Sequence, residues 1–179
     1  MKKLFFSAIV LILSFNSFSQ TTYNVYDVNY GLPSITPSSI ITSNTYGGTD
    51  IYTTSNGLPN ITPSYTISTN IYGGYDVYSV DHGLPSITPS YTTSTNTYGG
   101  TDIYTSNYGL PSLSPIETIK SNTYGGYDVY KVSNGLPTIS PTQTYTPNTY
   151  GGYDVYNVNN GLPSLSPSTT IRATLYGGR

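Results

Sequence analysis

The sequence predicts an all-β protein built from six tandem repeats of 26 residues. Gly-Leu-Pro begins at residues 31, 57, 83, 109, 135 and 161, and Tyr-Gly-Gly at 46, 72, 98, 124, 150 and 176, each series in steps of 26. Every unit carries a short run of β-branched and aromatic residues, such as Tyr75–Val80, with the period of two that marks a strand. No helical periodicity follows residue 20. A unit of this size cannot bury its own core and must share one with its neighbours. The first expectation is a β-solenoid with one coil per unit. The alternative is a closed ring or array of β-hairpins, which needs no capping units, and none is visible in the sequence. An open solenoid would end in bare strand edges, which favour end-to-end association between copies.

Residues 1–20, MKKLFFSAIVLILSFNSFSQ, have the charged start, apolar middle and short polar end of a secretory signal peptide. The apolar run Leu4–Phe15 is shorter than the ~20 residues that cross a bilayer. The expected organisation is a signal peptide over 1–20 and a single repeat domain over 21–179, with repeats 23–48, 49–74, 75–100, 101–126, 127–152 and 153–178. The expected location is secreted or at the cell surface, with the periplasm as another destination, and no transmembrane span remains after signal removal. The chain has no cysteine, so disulfides and thiolate metal sites are excluded.

Within the third unit, period two sends Val77 to one face and Asp76, Tyr78 and Val80 to the other. The column Val25, Ile51, Val77, Ile103, Val129 and Val155 is never polar and reads as core. Gly83 then permits a bend. Pro85 and Pro89 lack the N–H that a central ladder requires, so Gly-Leu-Pro-x-Ile-x-Pro reads as a rigid corner. Leu84 and Ile87 are expected to tuck inward there. That aliphatic pair, present in every copy with Leu for Ile in two, argues against an exposed proline-rich recognition motif. The Thr/Ser-rich run Ser90–Tyr98 reads as a second extended segment, and Gly99-Gly100 as a hairpin or corner. The column Asn44, Asn70, Asn96, Asn122 and Asn148, with Thr174 as its exception, is expected to form an amide ladder, and the Tyr-Gly-Gly tyrosines to stack.

Chemistry is sparse. After residue 20 there are eight acids and four bases, a net charge of −4 without a basic cluster, which excludes nucleic-acid binding. The one histidine, His82, sits where other units have Tyr30, Asn56, Tyr108, Asn134 and Asn160. The many Ser and Thr have no recurring His or Lys to activate them. The column Asp50, Asp76, Asp102, Asp128 and Asp154, with Asn24 in the first unit, singles out no pair for glycosidase chemistry. One carboxylate per unit is thin for the six to eight oxygens of calcium, so a structural role at a turn is expected. No catalytic residue, cofactor or metal site is predicted. All 21 tyrosines follow the four phenylalanines of the first twenty residues, so tyrosine does the aromatic work. The column Tyr26, Tyr52, Tyr78, Tyr104, Tyr130 and Tyr156, opposite the aliphatic column, is the candidate binding surface. Two functions are expected: a non-enzymatic structural or adhesive protein that self-associates end to end, or a carbohydrate-binding module that stacks these rings on polysaccharide or cell-surface material.

Overall fold

The computed structural model describes residues 22–174. The predicted signal peptide and Tyr176 lie outside them. Each unit contributes a long strand, a two-residue Leu-Pro strand and a shorter strand. In chain order these are β1 (Thr22–Asn29), β2 (Leu32–Pro33), β3 (Ser39–Ser43), β4 (Thr49–Ser55), β5 (Leu58–Pro59), β6 (Tyr65–Thr69), β7 (Tyr75–Asp81), β8 (Leu84–Pro85) and β9 (Tyr91–Thr95). The second half runs β10 (Thr101–Asn107), β11 (Leu110–Pro111), β12 (Glu117–Ser121), β13 (Tyr127–Ser133), β14 (Leu136–Pro137), β15 (Gln143–Pro147), β16 (Tyr153–Asn159), β17 (Leu162–Pro163) and β18 (Thr169–Thr174). No helix occurs among the described residues.

Setting aside the Leu-Pro strands, each of the other twelve pairs antiparallel with the one before and the one after, and β18 returns to β1. The result is a closed twelve-stranded barrel, not a solenoid. A solenoid stacks like strands of successive coils. Here the Gly-Gly pair makes a true hairpin, so β3 pairs with β4 across the unit boundary. Both edges of each of these twelve strands are then used within one continuous sheet, and among the described residues they leave no bare edge of the kind that would join copies. The closed-ring alternative holds in that the hairpins form a ring, but as a single wall.

Closure preserves register. Tyr23 pairs with Ala173 and Val25 with Ile171, matching the hairpin pairs Thr49–Ser43 and Ile51–Ile41 one unit on. Tyr23 also pairs with Ile41, and Ile41 with Ile51, the repeat-equivalent of Val25. Crossing one unit therefore advances the row by two residues. Six such steps give a shear equal to the number of strands, the same ratio that tilts the strands of an eight-stranded, shear-8 barrel by about 36°.

One central inward side chain from each of the twelve strands is buried, at 0–3% exposure: Val25, Ile41, Ile51, Ile67, Val77, Thr93, Ile103, Ile119, Val129, Tyr145, Val155 and Ile171. The predicted aliphatic column is half of this layer. Tyr23, Tyr75, Tyr127 and Tyr153 pack against it from the Gly-Gly end, and Tyr65 and Tyr91 from the other. Twelve strands enclose a wider interior than the eight that short side chains fill, and tyrosine reaches further inward than Val or Ile. The Tyr127 and Tyr153 rings meet edge to face at 6.1 Å. Tyr145 donates to Gln143 Oε1 at 3.4 Å.

The two glycines of each hairpin serve different needs. Gly47 has φ +77°, the left-handed region, with open space around it. A Cβ on Gly48 would lie 2.3 Å from the Ile67 carbonyl oxygen, and the same clash recurs in the next four units. The expected Asn ladder is absent because each Asn turns into its own hairpin. Asn44 Oδ1 accepts from the N–H groups of Tyr46 at 3.1 Å and Gly48 at 2.8 Å. This satisfies turn donors that a ladder would leave open.

At the opposite end the residue before Gly-Leu-Pro and the glycine itself both have positive φ, for example 51° at Asn56 and 81° at Gly57, which makes a type I′ turn. Asparagine suits this position; Tyr30, His82 and Tyr108 occupy it in three units. Tyr108→Asn is expected to raise the melting temperature by roughly 1–4 °C and Tyr108→Val to lower it; equal melting of the two variants would refute the turn assignment.

Burial raises the pKa of Tyr23, Tyr75, Tyr127 and Tyr153, and raises that of Tyr145 furthest, with the Glu117 charge adding to it. A raised folded-state pKa contributes stability that is complete below the unfolded value and is lost as pH climbs past it. The melting temperature should therefore hold from neutrality to about pH 10 and fall above it. Tyr145→Phe should soften that fall, as read by circular dichroism at each pH.

Candidate functional site

The type I′ turn folds each Leu-Pro back along the end of its long strand, as in the pairs Val80–Pro85 and Asp81–Leu84. The loop behind it is pinned by backbone bonds, Ser86 N–H to Ser79 O at 2.8 Å and Ser90 N–H to Val77 O at 2.7 Å. Within the loop, the Ser86 hydroxyl donates to Thr88 O at 2.8 Å. The corner is thus well defined, but it does not turn its aliphatics inward. Leu84 is 73% exposed and Ile87 fully exposed. The inward positions at this end already belong to strand residues such as Ser79 and Tyr91, which leaves the corner side chains to solvent.

All six corners behave alike. Leu32, Leu58, Leu84, Leu110, Leu136 and Leu162 are 72–74% exposed, and Ile35, Ile61, Ile87, Leu113, Ile139 and Leu165 are 99–106% exposed. Neighbouring corners abut: a Cβ on Gly57 would lie 2.8 Å from Thr36, and one on Gly31 would lie 3.8 Å from Ser166 across the seam. The corners together form a crown of exposed aliphatic side chains. Its tips carry Tyr30 and Tyr108, and His82, whose Nδ1 lies 2.8 Å from Asp81 Oδ1.

A second crown stands on the hairpins at the other end. Tyr46, Tyr72, Tyr98, Tyr124 and Tyr150 are 57–96% exposed, so they are displayed rather than stacked as expected, and Ile71 joins them. The described chain both begins, at Thr22, and ends, at Thr174, on this side.

The column Tyr26, Tyr52, Tyr78, Tyr104, Tyr130 and Tyr156 lies on the outer wall, opposite the core as its period requires, and every member is half-buried. Arg172 sits over the Tyr26 ring at 5.0 Å and over Tyr150 at 4.4 Å, and Lys120 over Tyr130 at 5.4 Å. Burial and the neighbouring Asp50 carboxylate raise the Tyr52 pKa. The wall therefore offers partly covered rings, whereas the rim tyrosines offer open ones. Sequence reasoning missed both crowns; the Asn-Gly dipeptides at Asn56, Asn134 and Asn160, a type I′ signature, are the signal that would have exposed the corner.

Beside the tyrosines runs the Asp column, and it acts as a clip across three strands. Asp102 accepts from the Asn96 amide of its own hairpin at 3.0 Å and from the Thr118 hydroxyl of the next strand at 2.7 Å. Asp76 and Asp128 repeat both bonds, Asp50 does so with Asn44 and Thr66, and Asp154 bonds Asn148. The two exceptions noted in the sequence, Asn24 and Thr174, meet each other at the seam, where Asn24 Nδ2 donates to Thr174 Oγ1 at 3.0 Å.

Outward Asp and Thr and strands of five to eight residues do not suit a lipid-facing wall, which needs ~9–11 residues per strand and an apolar band. Among the described residues no three His, Asp or Glu side chains gather to hold a metal, and no helix is long and apolar enough to cross a membrane. A shallow cavity of about 440 Å³ lies between the third corner and the end of β10, lined by hydroxyls including Ser79, Ser86, Ser90 and Thr105. Comparison with protein-family models, curated proteins and solved structures returns no match.

Removing the Asp102 carboxylate leaves the buried Thr118 hydroxyl and the Asn96 amide without their acceptor. Asp102→Ala should cost about 1.5–3 kcal/mol, the range for hydrogen bonds to a charged group. Asn24→Ala, which breaks a neutral pair, should cost about 1 kcal/mol. Urea denaturation of the two variants ranks them; a seam variant as costly as the clip variant would contradict the assignment.

Proposed function

We propose that this chain is a secreted, non-enzymatic repeat protein with a structural or adhesive role outside the cell: a closed ring that displays apolar side chains at its rims. The observation that carries this reading is the aliphatic crown, twelve Leu and Ile side chains exposed at 72–106% in six equivalent corners. Exposed apolar side chains gathered in this number at one end of a fold mark an interaction site. Export rests on residues 1–20, and the cell surface or periplasm are the compartments it implies. The non-enzymatic reading rests on the absence of any activated nucleophile or paired carboxylates in the sequence.

A second reading, a carbohydrate-binding module, is favoured by the rim tyrosines, which present open aromatic faces with a polar tip for stacking on sugars. The wall column Tyr26–Tyr156 serves that reading less well, because its rings are half-covered.

The adhesive reading predicts that the chain from Thr21 onward is retained on an alkyl-coated sensor. Replacing Ile35, Ile61, Ile87, Leu113, Ile139 and Leu165 together by Ser should reduce retention at least tenfold, while circular dichroism stays unchanged. Retention equal to that of the parent chain would remove the aliphatic crown as the adhesive surface. If instead the parent binds insoluble polysaccharide and loses it on replacement of Tyr46, Tyr72, Tyr98, Tyr124 and Tyr150 by Ser, the carbohydrate reading takes its place.

A further inference from the structure

We infer that the partner of the aliphatic crown is the aliphatic crown of a second copy of this chain, packed rim to rim about a twofold axis. The inference rests on the structural reading above and names the partner for it.

Area supports a dimer. Covering one Leu or Ile side chain removes roughly 60–120 Å² from water. The twelve exposed aliphatics therefore offer roughly 700–1,400 Å² per copy, against about 800 Å² per partner in a stable interface. Symmetry supports it too. Six equivalent corners stand at regular steps around the ring, since the seam keeps the register of every other junction. A twofold axis perpendicular to the barrel lays each corner of one ring on a corner of the other, the self-complementary arrangement of an isologous interface.

Charge does not oppose this pairing. In the six corner segments, 29–38 and their equivalents, the ionisable residues other than tyrosine are Asp81 and His82, which already lie 2.8 Å apart in one copy. The same segments hold no Lys or Arg to attract anionic lipid headgroups. Finally, the described chain begins and ends at the tyrosine end, so neither of its ends lies at the aliphatic crown. Such a dimer is closed: each crown is covered by the other, so it stops at two copies. It also turns a tyrosine crown outward at each end, giving a bivalent particle.

Sedimentation velocity of the chain from Thr21 onward, with no surface or ligand present, tests this. A concentration-dependent monomer–dimer equilibrium is expected, without filaments. The six-position Ser variant described above should dissociate at least tenfold more readily, and at concentrations where both chains are monomeric its melting should match that of the parent, because those side chains are fully exposed in the monomer. The pair Ile87→Asp and Leu113→Asp, which disturbs only two corners, should have the same direction of effect. A parent chain that stays monomeric at about 100 μM overturns the proposal, as does a dimer that survives both variants. A monomer that co-floats with uncharged phosphatidylcholine vesicles overturns it in favour of a lipid surface. Adhesion on the alkyl sensor is read separately, so a monomer that still adheres refutes the dimer and leaves the adhesive role standing.

Discussion

The antiparallel pairing of β18 with β1 is the constraint on which the rest of the barrel depends. A sheet that advances its register by two residues per unit spirals continuously, and it closes only when the unit count, stagger and tilt agree. Six units meet that condition with the last pair in the same register as the first. Closure accounts for the absence of capping units. It also removes from the twelve wall strands the free edges that would otherwise template pairing with another copy.

The seam is the one junction among the twelve that no turn tethers, and the sequence treats it differently there. Elsewhere an Asn caps the Gly-Gly turn through its Oδ1 and offers its amide to the Asp six residues on. At the seam that covalent turn does not link the strands, and the pair becomes Thr174 and Asn24, still bonded to each other. Arg172, stacked between Tyr26 of β1 and Tyr150 of the neighbouring hairpin, adds a contact that crosses the same line. Two departures from the repeat that look like drift in the linear sequence are therefore a matched pair in space.

Much of the wall was legible in the residues. Period two placed Val77 inward and Tyr78 outward, and the Gly-Gly pair marked a turn, because both signals are local. Closure was less legible, since solenoid and ring share the same local elements and differ in whether the Gly-Gly pair reverses the strand or merely bends it. The second glycine held the answer: a Cβ there would strike the carbonyl of the strand beyond, as at Gly48 and Ile67, and that crowding belongs to a tight hairpin packed in a continuous sheet. The Asn column misled because a repeated amide suggests a ladder, whereas the nearest unpaired donors lie in its own turn.

The corner misled for a deeper reason. Leu and Ile repeated in every unit read as core because hydrophobic residues are usually buried, yet burial needs a vacant inward position as well as an apolar side chain. In this barrel the inward positions are filled by the strands, including seven tyrosines that reach into its width. The prolines then act as the sequence suggested, stopping the ladder, but they hold the aliphatics outward. Tyrosine is accordingly divided among four places: the interior, the wall beside the Asp clips, the hairpin rim, and, at Tyr30 and Tyr108, the tips of the corners. Because hairpins and corners alternate along the chain, most of the exposed tyrosines and most of the exposed aliphatics stand at opposite ends of the barrel, with Tyr30 and Tyr108 among the aliphatics and Ile71 among the tyrosines. That arrangement gives a single small fold two chemically different ends, one largely aliphatic and one largely aromatic.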